Sequence, residues 1–447
     1  MHLSFCYLPT HYLYKKQNMR HTPLPNTLFI KNRAKIAQKL APNSIAIFHS
    51  NDIMPTSADG TMPFVQHSDI YYLTGIAQEE TILVLFPDAI EEKYREILFV
   101  RQTDEHIAIW EGEKYSQEAA TAQSGISTVL WTKDFEGLLP TLVFQAENIY
   151  LNTNEHLRQS NEVETRDARF ISFCKKTFPL HTYKRLAPLM MEVRACKEKE
   201  EIDTIAAACK ITEKGFRRLL GFVKEGVMEY EIEAELLHEF IRNGSRGFAY
   251  EPIIASGANA CVLHYVSNNK PCRAGDLLLL DVGAEYAGYA SDMTRCIPVS
   301  GRFSDRQKAV YNAVLRVKNE AKKMLRVGTL IADYQKEVGK LMTSELIGLG
   351  LLKKHEVEQE DPKNPLYRRY FMHGTSHFLG INVHDYGFFH KKVEAGMVFT
   401  VEPGIYIREE GIGVRLENDI VVLENGYQDL MGDIPIEVEE IEDLMNA

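Results

Sequence analysis

The chain is poor in several things, and each shortage excludes a class of protein. Cysteine is scarce: seven in 447 residues, at Cys6, Cys174, Cys196, Cys209, Cys261, Cys272 and Cys296. The number is odd, no CxxC occurs, and no Cys/His group has zinc-finger spacing. That excludes a disulfide-stapled module and a thiolate zinc site, and it fits a reduced, cytoplasmic compartment. Long apolar runs are missing; none approaches the ~20 residues needed to cross a bilayer, so no membrane partner is expected. Positive charge is in deficit. Lys and Arg number 51 against 62 Asp and Glu, leaving a net charge of −11 and a pI near 5.8. Phosphate binding wants a basic face, so no nucleic-acid partner is expected either. The N-terminus lacks a charged segment followed by an apolar stretch and a cleavage site, so it does not read as a signal peptide. Residues 1–26 read as an extension, and Met19 would make a more ordinary start.

The rest of the composition is ordinary for a globular protein, with 45% hydrophobic and 25% charged residues. The length predicts two or three domains. Residues 27–40 predict a helix with Ile30, Ala34, Ile36, Ala37 and Leu40 on its apolar side. SIAIFHS, DIYYLTG, TILVLFP, REILFV and NIYLNT then read as strands, separated by the helical QEAATAQ and DFEGLLPTLVF. This alternation predicts an α/β layer with a mixed sheet over residues 27–185. The polar stretch 155–170 reads as a surface loop or helix. From 186 to 447 the pattern changes to a helix pair, strands, a second helix pair and strands. The helices fall at about 200–223, 229–243, 304–325 and 331–348, with an inserted loop at 355–369. The whole is predicted to be α+β.

The chemistry concentrates in the second part. In LLLLDVGAEYAGYASDMTRCIPV, Asp281 and Asp292 are equidistant from a turn centred between Tyr286 and Ala287. A simple hairpin would set them directly opposite on one face. Such carboxylates either lie in solvent or repel one another until a proton or cation comes between them. Glu402, in VEPG, and Glu417, in GVRLEND, centre in the same way on Glu409-Glu410, with Arg415 on the same face. HGTSHFLGINVHD adds His373, His377 and His384 within twelve residues; a helix would bring all three to one side. Four carboxylates and one imidazole suffice for two divalent cations ~3.5–4 Å apart, and oxygen-rich ligation suits Mn²⁺, Co²⁺, Fe²⁺ or Zn²⁺.

These motifs resemble, over about residues 190–440, the five-ligand set of the pita-bread metallopeptidases, which include methionine aminopeptidase, prolidase and aminopeptidase P. FVQHSDIYYLTG, residues 64–75, resembles the creatinase/aminopeptidase P N-terminal domain, which methionine aminopeptidases lack. The resemblance implies an α/β domain over 27–185 and a pita-bread catalytic domain over 186–447. It implies that Asp281, Asp292, His377, Glu402 and Glu417 hold two divalent metals, with Mn²⁺ first and Co²⁺, Zn²⁺ or Fe²⁺ as alternatives, and that Asp292 and Glu417 bridge them. Glu402 would be the general base, and His384 would stabilise the oxyanion. His264, in SGANACVLHY, would contact substrate, and His373 would shape its pocket. Arg415 would meet a substrate carbonyl or carboxylate, or else pair with Glu417 or Asp419. The implied reaction is removal of the first residue from Xaa-Pro peptides by an aminopeptidase P, with prolidase as the alternative and a non-catalytic binding protein as a third reading. Ser376 and the insertion before it favour aminopeptidase P. Members with this N-terminal domain are expected to be homodimers or homotetramers.

Overall fold

The computed structural model describes residues 20–159 and 162–447. The expected N-terminal extension lies outside the described residues up to residue 19. Beyond that, Arg20 donates through Nη1 to the Ser245 carbonyl at 3.1 Å, so the end of that stretch runs along the second half of the chain.

Residues 44–185 form one six-stranded mixed sheet. Its central strand, Ser44–His49, pairs antiparallel with Ile82–Leu85 and parallel with Asn148–Leu151. Glu96–Val100 and Thr128–Trp131 extend one side, and Thr182–Arg185 closes the other. Every residue of the central strand is buried. Ile45 and Ile47 face one apolar cluster while Ala46 and Phe48 face another, so both sides of the sheet are covered.

DIYYLTG is a helix, Ser68–Thr74, where its aromatic and β-branched content predicts a strand. Its ends decide this. The His67 ring accepts from the Asp69 N–H, and Gly75 closes the helix in the left-handed conformation at φ 69°. Ile70 and Leu73, three apart, share the buried face. In the 155–170 stretch, the described residues up to Thr165 form neither helix nor strand, and Thr165 caps the helix Arg166–Thr177 by accepting from the Ala168 N–H.

The second half repeats one plan. Helices Lys199–Leu220 and Glu229–Arg242 pack together; a Cβ on Gly215 would sit 2.7 Å from the Phe240 ring. Behind them lies the antiparallel sheet Met293–Pro298, Leu277–Val282 and Ile253–Ser256. Helices Asp305–Met324 and Ile331–Gly348 come next, followed by the sheet Val398–Val401, Asn418–Leu423 and Gly426–Asp429 and the ribbon Gly404–Ile407 with Ile412–Arg415. One apolar core spans both copies. This is the pita-bread α+β architecture. A final helix, Val438–Met445, is not foreseen from the sequence pattern. Among the described residues, no helix is long and apolar enough to cross a membrane.

The two hairpins differ in how well their register is foreseen. In the first, Asp281 faces Thr294 rather than Asp292. Tyr286 pairs with Tyr289, so the turn is Ala287-Gly288, with φ of 48° and 82°. Two positive φ values make the twist of a two-residue hairpin turn. The centre is therefore one residue later than expected, and the pairing shifts by two. A shift of two keeps the face, so Asp281 and Asp292 become diagonal neighbours on one side. In the second hairpin, Val401 pairs with Asn418 and Gly404 with Arg415. That common register sets Glu402 across from Glu417, as expected.

Candidate metal centre

The first hairpin delivers its aspartates from a wholly apolar strand. Leu277 to Leu280 are buried, and Asp281 ends the run. The Tyr250 hydroxyl ties the pair together, 2.7 Å from Asp281 Oδ1 and 2.6 Å from Asp292 Oδ1. The second hairpin brings Glu417 to the same place, where its Oε2 accepts from the Thr294 hydroxyl at 2.6 Å. Asp292, His377 and Glu417 each present a ligand atom within 4.8 Å of the others. His377 Nε2 lies 3.4 Å from Asp292 and 3.7 Å from Glu402. Its Nδ1–H donates to the Phe378 carbonyl at 3.0 Å, which turns Nε2 toward the carboxylates.

The histidine motif is a loop rather than a helix. It nevertheless wraps its histidines around the centre. The His384 ring meets His377 edge-on at 4.5 Å, and its Nε2 is 3.2 Å from Arg158 Nη1. His373 Nδ1 is 3.6 Å from Glu402, and its Nε2 is 2.8 Å from the Tyr406 hydroxyl. His264 is exposed in the stretch after the turn Gly257–Cys261. Arg415 is buried. It donates to Asp281 Oδ2 at 2.5 Å, to Tyr406 at 2.9 Å and to the Thr294 hydroxyl at 3.1 Å. Its ion-pair partner is thus Asp281, neither of the two acids expected, and it reaches Glu417 only through Thr294.

Four carboxylates crowd together against one guanidinium and one imidazole. Burial, reinforced by Asp292, Glu402 and Asp281, holds Glu417 well above the usual carboxylate range. Burial also raises Glu402 to about 7, with Asp292 and Asp281 adding to it and His377 and Arg415 opposing. Burial works to lower His377, but Asp292 and Glu402 push it up to about 9. Burial, with His377 and Arg158 beside it, takes His384 down to about 3, leaving a neutral imidazole. A surplus of buried oxygen donors with one nitrogen fits a hard or borderline divalent cation.

Several contributors carry no sequence signal of their own. Tyr250, Thr294 and Tyr406 are ordinary core residues by pattern. Arg158 lies in the polar stretch 155–170 without a motif. Asp419 could have been found, since it stands in GVRLEND two positions after Glu417. It is fully buried, and its Oδ2 accepts from the Asp292 N–H at 3.0 Å.

Two family models match the chain: Metallopeptidase family M24 over residues 203–424, and the Aminopeptidase P N-terminal domain over residues 29–150. The Xaa-Pro aminopeptidase of Escherichia coli K12 is 35% identical over 94% of this chain and 97% of its own length. A structure of a putative aminopeptidase P from Bacillus anthracis superposes with TM-score 0.87 at 33% identity, covering 94% of this chain and 98% of the other. Zinc-substituted E. coli aminopeptidase P in complex with product gives 0.85 at 33%, covering 95% and 99%. The chain belongs to metallopeptidase family M24, and the cluster of Asp292, His377 and Glu417 supports a divalent metal. Its N-terminal domain and full-length match put it on the aminopeptidase P branch of that family.

Proposed function

We propose that this chain is a metal-dependent exopeptidase that removes the first residue from peptides with proline in second place. The convergence of Asp292, His377 and Glu417 on one buried point, with Glu402 facing them, carries this reading. Asp281, Asp292, His377, Glu402 and Glu417 would hold two divalent ions, Mn²⁺ first among the candidates. Such ions, when bound, polarise a carbonyl and lower the pKa of water.

The protein's own groups do the rest. Glu402 is the most open of the carboxylates near His377, so it can take a proton from the attacking water and hand it to the departing prolyl nitrogen. His384, a neutral imidazole, donates to the oxygen that gains charge. His264 and His373 line the approach and hold the substrate. Arg415 orients Asp281 and, through Thr294, Glu417. The Xaa-Pro bond has no N–H, and proline fixes the local backbone, so a site selects it by shape rather than by a backbone donor.

Six cysteines are free among the described residues, which supports a reducing, cytoplasmic setting. A homodimer or homotetramer rests on the family resemblance. The proposed division at 185/186 meets one qualification: Leu186, Met190 and Val193 pack into the N-terminal cluster, which favours a junction nearer Cys196.

Chelation and substrate length test the function together. Xaa-Pro-Xaa tripeptides should be cleaved, the activity lost on exhaustive chelation, and restored by Mn²⁺. A clear preference for Xaa-Pro dipeptides would make the enzyme a prolidase. Activity untouched by chelation would overturn the metal reading.

A further inference from the structure

We propose that Arg194 is the positioning residue for His384, fastening the loop that carries it to the N-terminal domain. This rests on the role given to His384 above.

Arg194 lies near the end of the helix Ala187–Ala195 and is 1% exposed. Its Nη1 donates to Asp69 Oδ1 at 2.7 Å and to the Ser68 hydroxyl at 2.8 Å. Its Nη2 donates to Asp385 Oδ1 at 2.5 Å. The guanidinium lies over the Tyr386 ring, 4.5 Å from its centroid. The second oxygen of Asp385 pairs with Lys197 at 3.1 Å, and the second oxygen of Asp69 accepts from Asn152 at 2.8 Å. Two cations and two anions are thus enclosed, each side chain only 1–2% exposed.

The segment so held has no regular ladder of its own. Residues 379–388 form neither helix nor paired strand. Its few backbone bonds include Asp385 N to the Phe378 carbonyl and Gly380 N to the Asn382 carbonyl. Side-chain anchors therefore set where His384 points. Asp385, the next residue, is the strongest of them, and Asn382 adds a bond to Ser68 at 3.3 Å. Glycine at 380 leaves room for the pair, because a Cβ there would stand 2.1 Å from Asp385 Oδ2.

A buried ion network is a weak source of stability, since apolar packing of the same volume often serves as well. What an arginine fork supplies is direction: it joins two carboxylates at fixed angles, which a lysine ammonium does not. One carboxylate belongs to the HSDIYYLTG segment and the other adjoins His384. That assigns the N-terminal motif a part in the active site, at a distance from substrate.

The test is a double-mutant cycle on the metal-loaded enzyme with an Xaa-Pro-Xaa tripeptide. Arg194→Lys keeps the charge but loses the fork. It should lower kcat about tenfold to a hundredfold, the scale on which a ~1 Å misplacement acts, with KM and metal content close to wild type. In a His384→Ala background the same change should have no further effect on kcat. A purely structural defect would instead lower kcat by the same factor in both backgrounds, and that result overturns the proposal. So does wild-type kcat in a folded Arg194→Lys. If that variant does not fold, Ser68→Ala and Asn382→Ala, which leave all four charges in place, carry the same cycle with the same two outcomes. An unimpaired His384→Ala would remove the premise itself, and with it the proposal.

Discussion

Asp281, Asp292, Glu402 and Glu417 share a buried space, where Arg415 pairs with Asp281 and His377 lies within ion-pair distance of Asp292 and Glu402. Removing one of these charges should hurt function and spare the fold. Asp292→Asn and Glu417→Gln should each abolish tripeptide hydrolysis and cut bound metal. The stripped variants should melt no lower than stripped wild type, because one repelling charge has gone from a crowded set. Elemental analysis, activity and calorimetry read these three quantities. Full activity in either variant would sink the ligand assignment. The residue types were legible in the sequence: carboxylates after apolar runs and a histidine among glycines. The partner of Arg415 was not, because Asp281 lies 134 positions away and nothing local marks it.

The hairpins set the spacing of those residues, and Gly283 is the tightest point of the first one. A Cβ there would fall 1.8 Å from the Ser291 carbonyl oxygen and 2.7 Å from its carbon. Both are backbone atoms of the facing strand, beside Asp292. Gly283→Ala should therefore part the strands, destabilise the protein by about 3 kcal/mol, and lower metal content. Gly137→Ala is the matching control: it sits in the helix Phe135–Val143 with nothing within 4 Å, and should be neutral or gain up to ~1 kcal/mol. Thermal melts and metal content compare the two, and a neutral Gly283→Ala would refute the crowding argument. The same hairpin shows why its turn was misplaced. Ala287 adopts a positive φ that alanine seldom takes, and the Tyr71 hydroxyl donates to its carbonyl at 2.7 Å. A residue 216 positions earlier thus helps fix the turn.

At the scale of the whole molecule, pH also acts within the N-terminal domain. His49, in the central N-terminal strand, is pushed down to about 3 by burial first, then by Arg166 and His67. The unfolded chain takes up this proton near 6.5, and the folded one refuses it until about 3. Stability from a neutral His49 is therefore present above 6.5 and lost as pH falls from there toward 3. Asp167, raised by burial to about 6, works the other way between its ordinary 3.8 and 6. His49→Gln removes the His49 contribution. Between about pH 7 and pH 5 it should lose about 2 kcal/mol less stability than wild type, read from denaturant midpoints. Equal losses would show that His49 does not resist protonation.

What the chain order carried was chemistry and periodicity. Candidate ligand types, their sequence, the long amphipathic helices and the second hairpin's register are all local patterns, set by side-chain alternation and short turns. What only the folded molecule decided depends on contacts between distant segments. Caps made DIYYLTG a helix, Tyr71 held the first turn one residue later than symmetry suggests, and Arg194 joined residues 125 and 191 positions away. Local pattern is blind to such choices, because the energy that makes them comes from groups that meet only once the chain has closed on itself.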